Sequence, residues 1–255
     1  MNLVDKVEKL LAQGTVVEED DPRREWKCPR CNGYGYLRRP RRVFRCPVCE
    51  RRVRLAEAED WIKPYFPKWG ITFDDVTNYH KFEANEVYNT LLDFHRNLIG
   101  SKPKGLLLHG GNGRGKTEIT LATLYNLVKE NGIQVMAVPF HHLCLLSKKG
   151  LDGTKETETI FRHIEMSSVV FVDELGKEPR FGNEDHAYVH LSCIVDKCYL
   201  QKHLIIATNM SVDELWGNKD KGIKPYFTQD IYSRLNSFAG YMESVAVKEN
   251  ADLRG

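Results

Sequence analysis

The chain has 255 residues, of which 42% are hydrophobic and 28% charged, and a formal net charge of +2. That length holds one sizeable core and a small accessory module, and the composition excludes disordered, collagenous and membrane-embedded classes. Its apolar runs, such as Val169–Val172 and Leu204–Ala207, are too short to cross a bilayer, and the N-terminus is charged at once, so a cytoplasmic protein without signal peptide or membrane partner is expected.

Residues 3–12 carry apolar positions at helical spacing, closed by Gly14. From Pro22 to Arg54 stand twelve Lys or Arg against Glu25 and Glu50, so the near-neutral average hides a basic block suited to a polyanionic partner. Within it lie Cys28-Pro-Arg-Cys31 and Cys46-Pro-Val-Cys49, fourteen residues apart. Each CxxC presents two thiolates on a tight turn, and two such turns complete a tetrahedral four-cysteine site for Zn2+. The set leaves no open ligand position, so the metal is structural and supplies folding energy to a module with little core of its own. The intervening Tyr34–Arg39 and Arg41–Arg45, separated by Pro40, fit a hairpin. Its arginines, interleaved with Tyr34, Tyr36 and Phe44, suit nucleic acid or an acidic protein surface. Cys144, Cys193 and Cys198 lie in apolar stretches and read as small buried residues.

Residues 55–80 form an aromatic-rich connecting region broken at Pro64 and Pro67, followed by a helix near 83–98. Beyond Lys104, short apolar runs (105–109, 133–138, 168–172, 204–207, 244–247) alternate with amphipathic segments near 115–130, 139–148, 156–165, 184–200 and 228–236. Continuous apolar strands alternating with helices predict an α/β fold with a parallel sheet covered on both faces. Three regions are expected: a helix and zinc-binding module at 1–60, a linker and helix at 61–104, and an ATPase domain at 105–255.

Gly110-Gly111-Asn112-Gly113-Arg114-Gly115-Lys116-Thr117 fits GxxxxGK[ST], between an apolar strand and a helix. Its glycines let backbone N–H groups curl around phosphate oxygens, and the helix N-terminus adds its dipole. Lys116 reaches the β- and γ-phosphates, and the Thr117 hydroxyl binds Mg2+. Asp173 and Glu174 close the apolar run that starts at Ser168. A carboxylate at the end of a buried strand holds Mg2+, and the second can polarise the attacking water. Asn209 ends the next strand, where it could orient that water; Thr208 and Asn209 could alternatively cap the helix near 211–215. ATP is favoured over GTP.

These segments resemble an AAA+ ATPase, specifically replicative helicase loaders of the DnaC/DnaI type and transposon ATPases of the IstB type. The likeness rests on Gly105–Thr117, Val172-Asp-Glu-Leu-Gly176, Ile205–Asn209 with Met210-Ser-Val-Asp-Glu-Leu215, and Asp230-Ile-Tyr-Ser-Arg234-Leu235. It implies that Asn209 is the sensor-1 residue and that Arg234 is an arginine finger reaching a neighbouring subunit's γ-phosphate, hence an ATP-dependent oligomer. Arg254 resembles the last-strand arginine of such loaders and is a sensor-2 candidate. Lys148 and Lys149 are candidate contacts to single-stranded DNA. Two departures stand out: Lys197-Cys198 stands where relatives often carry paired arginines, and Arg114 sits in the phosphate loop where the family often has a small or polar residue.

The reading that results is a helicase loader. Its zinc module would engage a replicative DNA helicase, and its AAA+ domain would bind ATP–Mg2+, self-associate and engage single-stranded DNA. Alternatives are an IstB-type transposition ATPase on duplex DNA and a zinc-dependent nucleic-acid-binding regulator with an ATP switch.

Overall fold

The computed structural model describes residues 28–39, 42–80, 86–146, 149–178, 185–235 and 242–246. The expected helix at 3–12, Lys148 and Arg254 lie outside them. The chain divides into two units, residues 1–50 and 51–255.

In the smaller unit, β1 (Tyr36–Arg39) and β2 (Arg42–Arg45) form an antiparallel hairpin. Its core is the cysteine cluster: Cys28, Cys31 and Cys46 are buried, with Leu37, Val48 and Cys49 packed against them.

Helix α1 (Pro47–Ile62) begins at the second CxxC, and its residues from Arg51 onward belong to the larger unit. Proline suits a first helical turn, where its missing N–H has no partner to lose. In the sequence the stretch from 55 reads as connecting region, because a largely charged helix offers little apolar periodicity. Only Ala58 and Ile62 of α1 are buried.

Next come α2 (Phe73–His80) and α3 (Glu86–Asn97). Then β3 (Gly105–His109) leads into α4 (Lys116–Asn126), whose last turns loosen to a π-helix at Leu127–Asn131. The chain continues through β4 (Val135–Pro139), α5 (Phe140–Leu146), α6 (Gly150–Met166) and β5 (Val169–Leu175). It ends with α7 (Asp185–Cys198), β6 (His203–Thr208), α8 (Val212–Trp216), α9 (Gln229–Leu235) and β7 (Met242–Ala246).

Five of these strands form one parallel sheet in the order β4-β5-β6-β3-β7. The four strands β3–β6 are buried on both faces, as their unbroken apolar sequence demands. Alternation then sorts their side chains into two cores. Leu106, Leu108, Phe171 and Ile205 face a layer built from α1–α4, which includes Ile62, Phe66, Trp69, Leu91 and Phe94. Leu107, Val170, Val172, Leu204 and Ile206 face α5, α6, α7 and α9. Residues 61–104, expected to lead into the ATPase, thus contribute to the same core as the sheet.

Of the three cysteines expected to be buried, Cys144 and Cys198 are, but Cys193 is exposed. On α7 the residues Leu191, Ile194, Val195 and Cys198 occupy the core-facing stripe, and Cys193 falls off it. No helix among the described residues is long and apolar enough to cross a membrane.

Candidate functional site

Parallel strands put their carboxyl ends on one edge, and the loops leaving that edge build the site. The loop after β3 curls through Gly110, Gly113 and Gly115, all at positive φ; at Gly115, φ is 73° where α4 begins. A side chain there would be strained, and its absence lets the backbone turn into the helix. Asn112–Glu118, Asp173, Glu174, Lys177 and Ala207–Asn209 together line a cleft of about 280 Å³.

Lys116 Nζ donates to Gly110 O at 2.7 Å, Gly111 O at 2.8 Å and Asn209 Oδ1 at 2.9 Å. Burial lowers its pKa to about 8, against the pull of Asp173. The Thr117 hydroxyl donates to Asp173 Oδ2 at 2.8 Å. These two oxygens, one from each strand–loop junction, could both reach one Mg2+. An ion held there would supply positive charge against that developing on a transferred phosphoryl group. Asp173 is buried, and desolvation pushes its pKa up to about 6 despite the bonds from Thr117 and the Glu174 N–H.

The pairing of β5 with β6 slips between Val172 and Leu175, and Glu174 has φ 59°. Such a bulge re-aims successive side chains, and left-handed backbone at a non-glycine residue concentrates at functional sites. Here both carboxylates line the cleft. Thr208 Oγ1 donates to Leu175 O at 2.7 Å and so ties β6 to the bulge. Gly176, at φ 90°, lies against Met210; a Cβ there would sit 2.5 Å from its sulfur.

Helix α8 is capped by Ser211 in a reciprocal box with Glu214, so neither Thr208 nor Asn209 serves as its N-cap. Asn209 instead faces Lys116. Arg114 lines the cleft. Lys149 is exposed and precedes α6. Arg234 is not among the cleft residues; its Nε lies 2.7 Å from Asp196 Oδ1 on α7. Lys197 pairs with Glu165.

Two residues absent from the sequence reading reach Glu174. Lys177 Nζ donates to Oε1 at 2.6 Å, and His141 Nδ1 lies 3.0 Å from Oε2. Lys177 was findable, three residues beyond Glu174. His141 was not, because only the sheet brings the start of α5 beside the end of β5.

In the smaller unit the four cysteine sulfurs lie within 4.8 Å of one another, with Cys28–Cys46 at 3.7 Å and Cys31–Cys49 at 3.4 Å. Tetrahedral Zn–S bonds of about 2.3 Å require sulfurs about 3.8 Å apart, so the set fits zinc. Burial raises the Cys28 pKa, but N–H groups of Arg30 and Cys31 and the neighbouring thiols outweigh it and bring it to about 7. Cys28 thereby favours the thiolate a metal needs, whereas burial and the neighbouring thiols push Cys49 up.

The profile of the IstB-like ATP binding protein family matches residues 95–242, more than half of the chain. The chain belongs to this family. It is accordingly an AAA+ ATPase. Among solved structures, this IstB-like chain is similar to the DnaC helicase loader (25% identity, TM-score 0.51), over 72% of this chain and 99% of that one. It also shares its fold with DnaI (17% identity, TM-score 0.52), over 71% and 93%. The uncharacterized protein YqaM of Bacillus subtilis (strain 168) is 24% identical over 178 residues. That match spans 66% of this chain and about half, 55%, of YqaM.

Proposed function

We propose that this IstB-like ATPase is a helicase loader acting in replication initiation. The observation that carries the reading is the likeness to the DnaC helicase loader over nearly all of that chain, joined to a nucleotide cleft with its lysine, hydroxyl and carboxylates in place. In this reading Lys116 and the loop amides hold the ATP phosphates, and Thr117 with Asp173 holds Mg2+. Glu174 accepts the proton of the attacking water, and Asn209 helps orient it. Arg234 completes the site of an adjacent subunit, so turnover belongs to an oligomer formed on single-stranded DNA. The zinc-bound four-cysteine module docks on the replicative helicase, in the cytoplasm.

Size-exclusion chromatography with light scattering on the chain mixed with a hexameric replicative helicase, with and without ATP, tests this. A discrete co-eluting complex is the expected result. The family match favours one other reading, a transposition ATPase. Large assemblies formed only with duplex DNA and ATP, and no helicase complex, would put that reading first. Lys116→Ala should abolish nucleotide binding; tight ATP binding by that variant would remove the cleft from the mechanism altogether.

A further inference from the structure

The hairpin of the cysteine module pairs Tyr36 with Arg45, Leu37 with Phe44 and Arg38 with Val43. Strand alternation puts Tyr36, Arg38, Val43 and Arg45 on one face and Leu37 and Phe44 on the other. Leu37 packs on the cysteine cluster, so the first face is the outer one. There Tyr36 is 53% exposed and Val43 52%, with Arg38 and Arg45 exposed beside them. Tyr34, two residues upstream, is 75% exposed.

This composition is unlike that of a merely solvated face. Between Cys28 and Cys49 the sequence has six arginines and no Asp, Glu or Lys. Even a zinc tetrathiolate, with two negative charges, would leave the module positive. Guanidinium groups bind phosphate bidentately and stack on planar rings, which an ammonium cannot do. Opposite each arginine of the outer face stands an apolar or aromatic side chain, so cation and stacking surface alternate along both strands.

We propose that this outer face, Tyr36, Arg38, Val43 and Arg45, together with the exposed Tyr34 just before the strand, binds single-stranded nucleic acid, the arginines holding phosphates and the tyrosines stacking on bases. Charge complementarity selects a polyanion. The exposed rings select a single strand, because a duplex hides its base faces within the stack. The proposal rests on the hairpin's charge and register and is independent of the helicase-loader reading. No helicase enters its test.

The test is fluorescence anisotropy of labelled oligothymidine with the zinc-loaded full chain, without nucleotide. A duplex and an abasic strand of equal length serve as comparisons, and polyglutamate as competitor. Tyr36→Ala is expected to weaken oligothymidine binding about ten-fold and to leave the abasic strand unaffected. Combined R38A and R45A is expected to flatten the dependence of log K on log salt by about 1.4, two phosphate contacts' worth on a single strand. Should Tyr36→Ala lose zinc, Tyr34→Ala repeats the ring test at the more exposed position. Zinc-loaded variants that bind oligothymidine as the unsubstituted chain does would overturn the proposal. Polyglutamate competing as well as oligothymidine, with the tyrosine variants silent, would overturn it in favour of an acidic protein.

Discussion

His141 Nδ1 lies 3.0 Å from Oε2 of Glu174, and Lys177 Nζ lies 2.6 Å from Oε1. Both oxygens of the carboxylate proposed as general base therefore face a nitrogen. To reach the carboxylate, water must share or displace one of these nitrogens. His141 stands at the start of α5 and so places the restraint on a different strand–helix junction from the base itself.

Removing the imidazole should release the base. His141→Ala is expected to raise kcat about two- to five-fold, the modest range proper to a half-exposed pair, with the Kd for ATP unchanged. His141→Asn, whose amide nitrogen reaches the same place, should stay near the unsubstituted rate. Glu174→Gln in either background should lower kcat by about 10²–10⁴. A lower kcat in His141→Ala would instead put the imidazole on the proton path.

Asp173 sets function against stability. Its pKa rises from 3.8 to about 6 because burial disfavours the charged form. The folded state thus holds its proton more tightly than the unfolded state does. The resulting penalty begins as pH rises above 3.8 and is complete above about 6. Asp173→Asn keeps an acceptor for the Thr117 hydroxyl and removes the charge. Nucleotide-free, it should be more stable at pH 7 by about 1–3 kcal/mol, a Tm rise of several degrees, with no gain below about pH 4. Mg2+-dependent ATP binding should be lost. Thermal melts across pH 4–8 check this, and an Asn variant that melts lower at pH 7 would remove the desolvation account.

Chelation should act on one unit alone. The smaller unit's core is little more than its cysteines and Leu37, so the metal would supply most of its folding energy. The larger unit has its own two cores. A strong chelator, or Cys28→Ser, should abolish near-ultraviolet and exchange-protection signals from residues 28–46 and leave nucleotide-stabilised melting of the ATPase in place. Loss of ATP binding on chelation would contradict the separation.

Legibility in the sequence followed the locality of the signal. Strands β3, β5 and β6 were readable because burial on both faces forces unbroken apolar runs, and Gly110–Thr117 because its pattern is complete within eight consecutive residues. The two CxxC turns were readable for the same reason. Helix α1 escaped notice: its face toward the core is carried by two buried side chains, while Arg51 and Arg54 hold it through Glu130 O and Gly132 O, 79 and 78 residues away. The bulge at Asp173–Glu174 and the approach of His141 were equally hidden, since both arise from pairing between strands.

Arg234 yields the last prediction. Its guanidinium is outside the cleft of its own chain and is held by Asp196, with both side chains partly exposed. An arginine so placed can serve catalysis only at a neighbour's nucleotide, and only by leaving Asp196. Arg234→Ala should then bind ATP normally, and its activity per subunit should not climb with protein concentration as that of the unsubstituted chain does. The deficit in the assembled state should approach about 10³. Arg234→Lys should not restore it, because a lysine lacks the planar fork. Mixing decides the matter: Lys116→Ala subunits cannot hold ATP but still present Arg234, so adding them to Arg234→Ala subunits should recover activity that neither has alone. Equal loss in dilute and concentrated Arg234→Ala, with no recovery on mixing, would return Arg234 to a purely structural partner of Asp196.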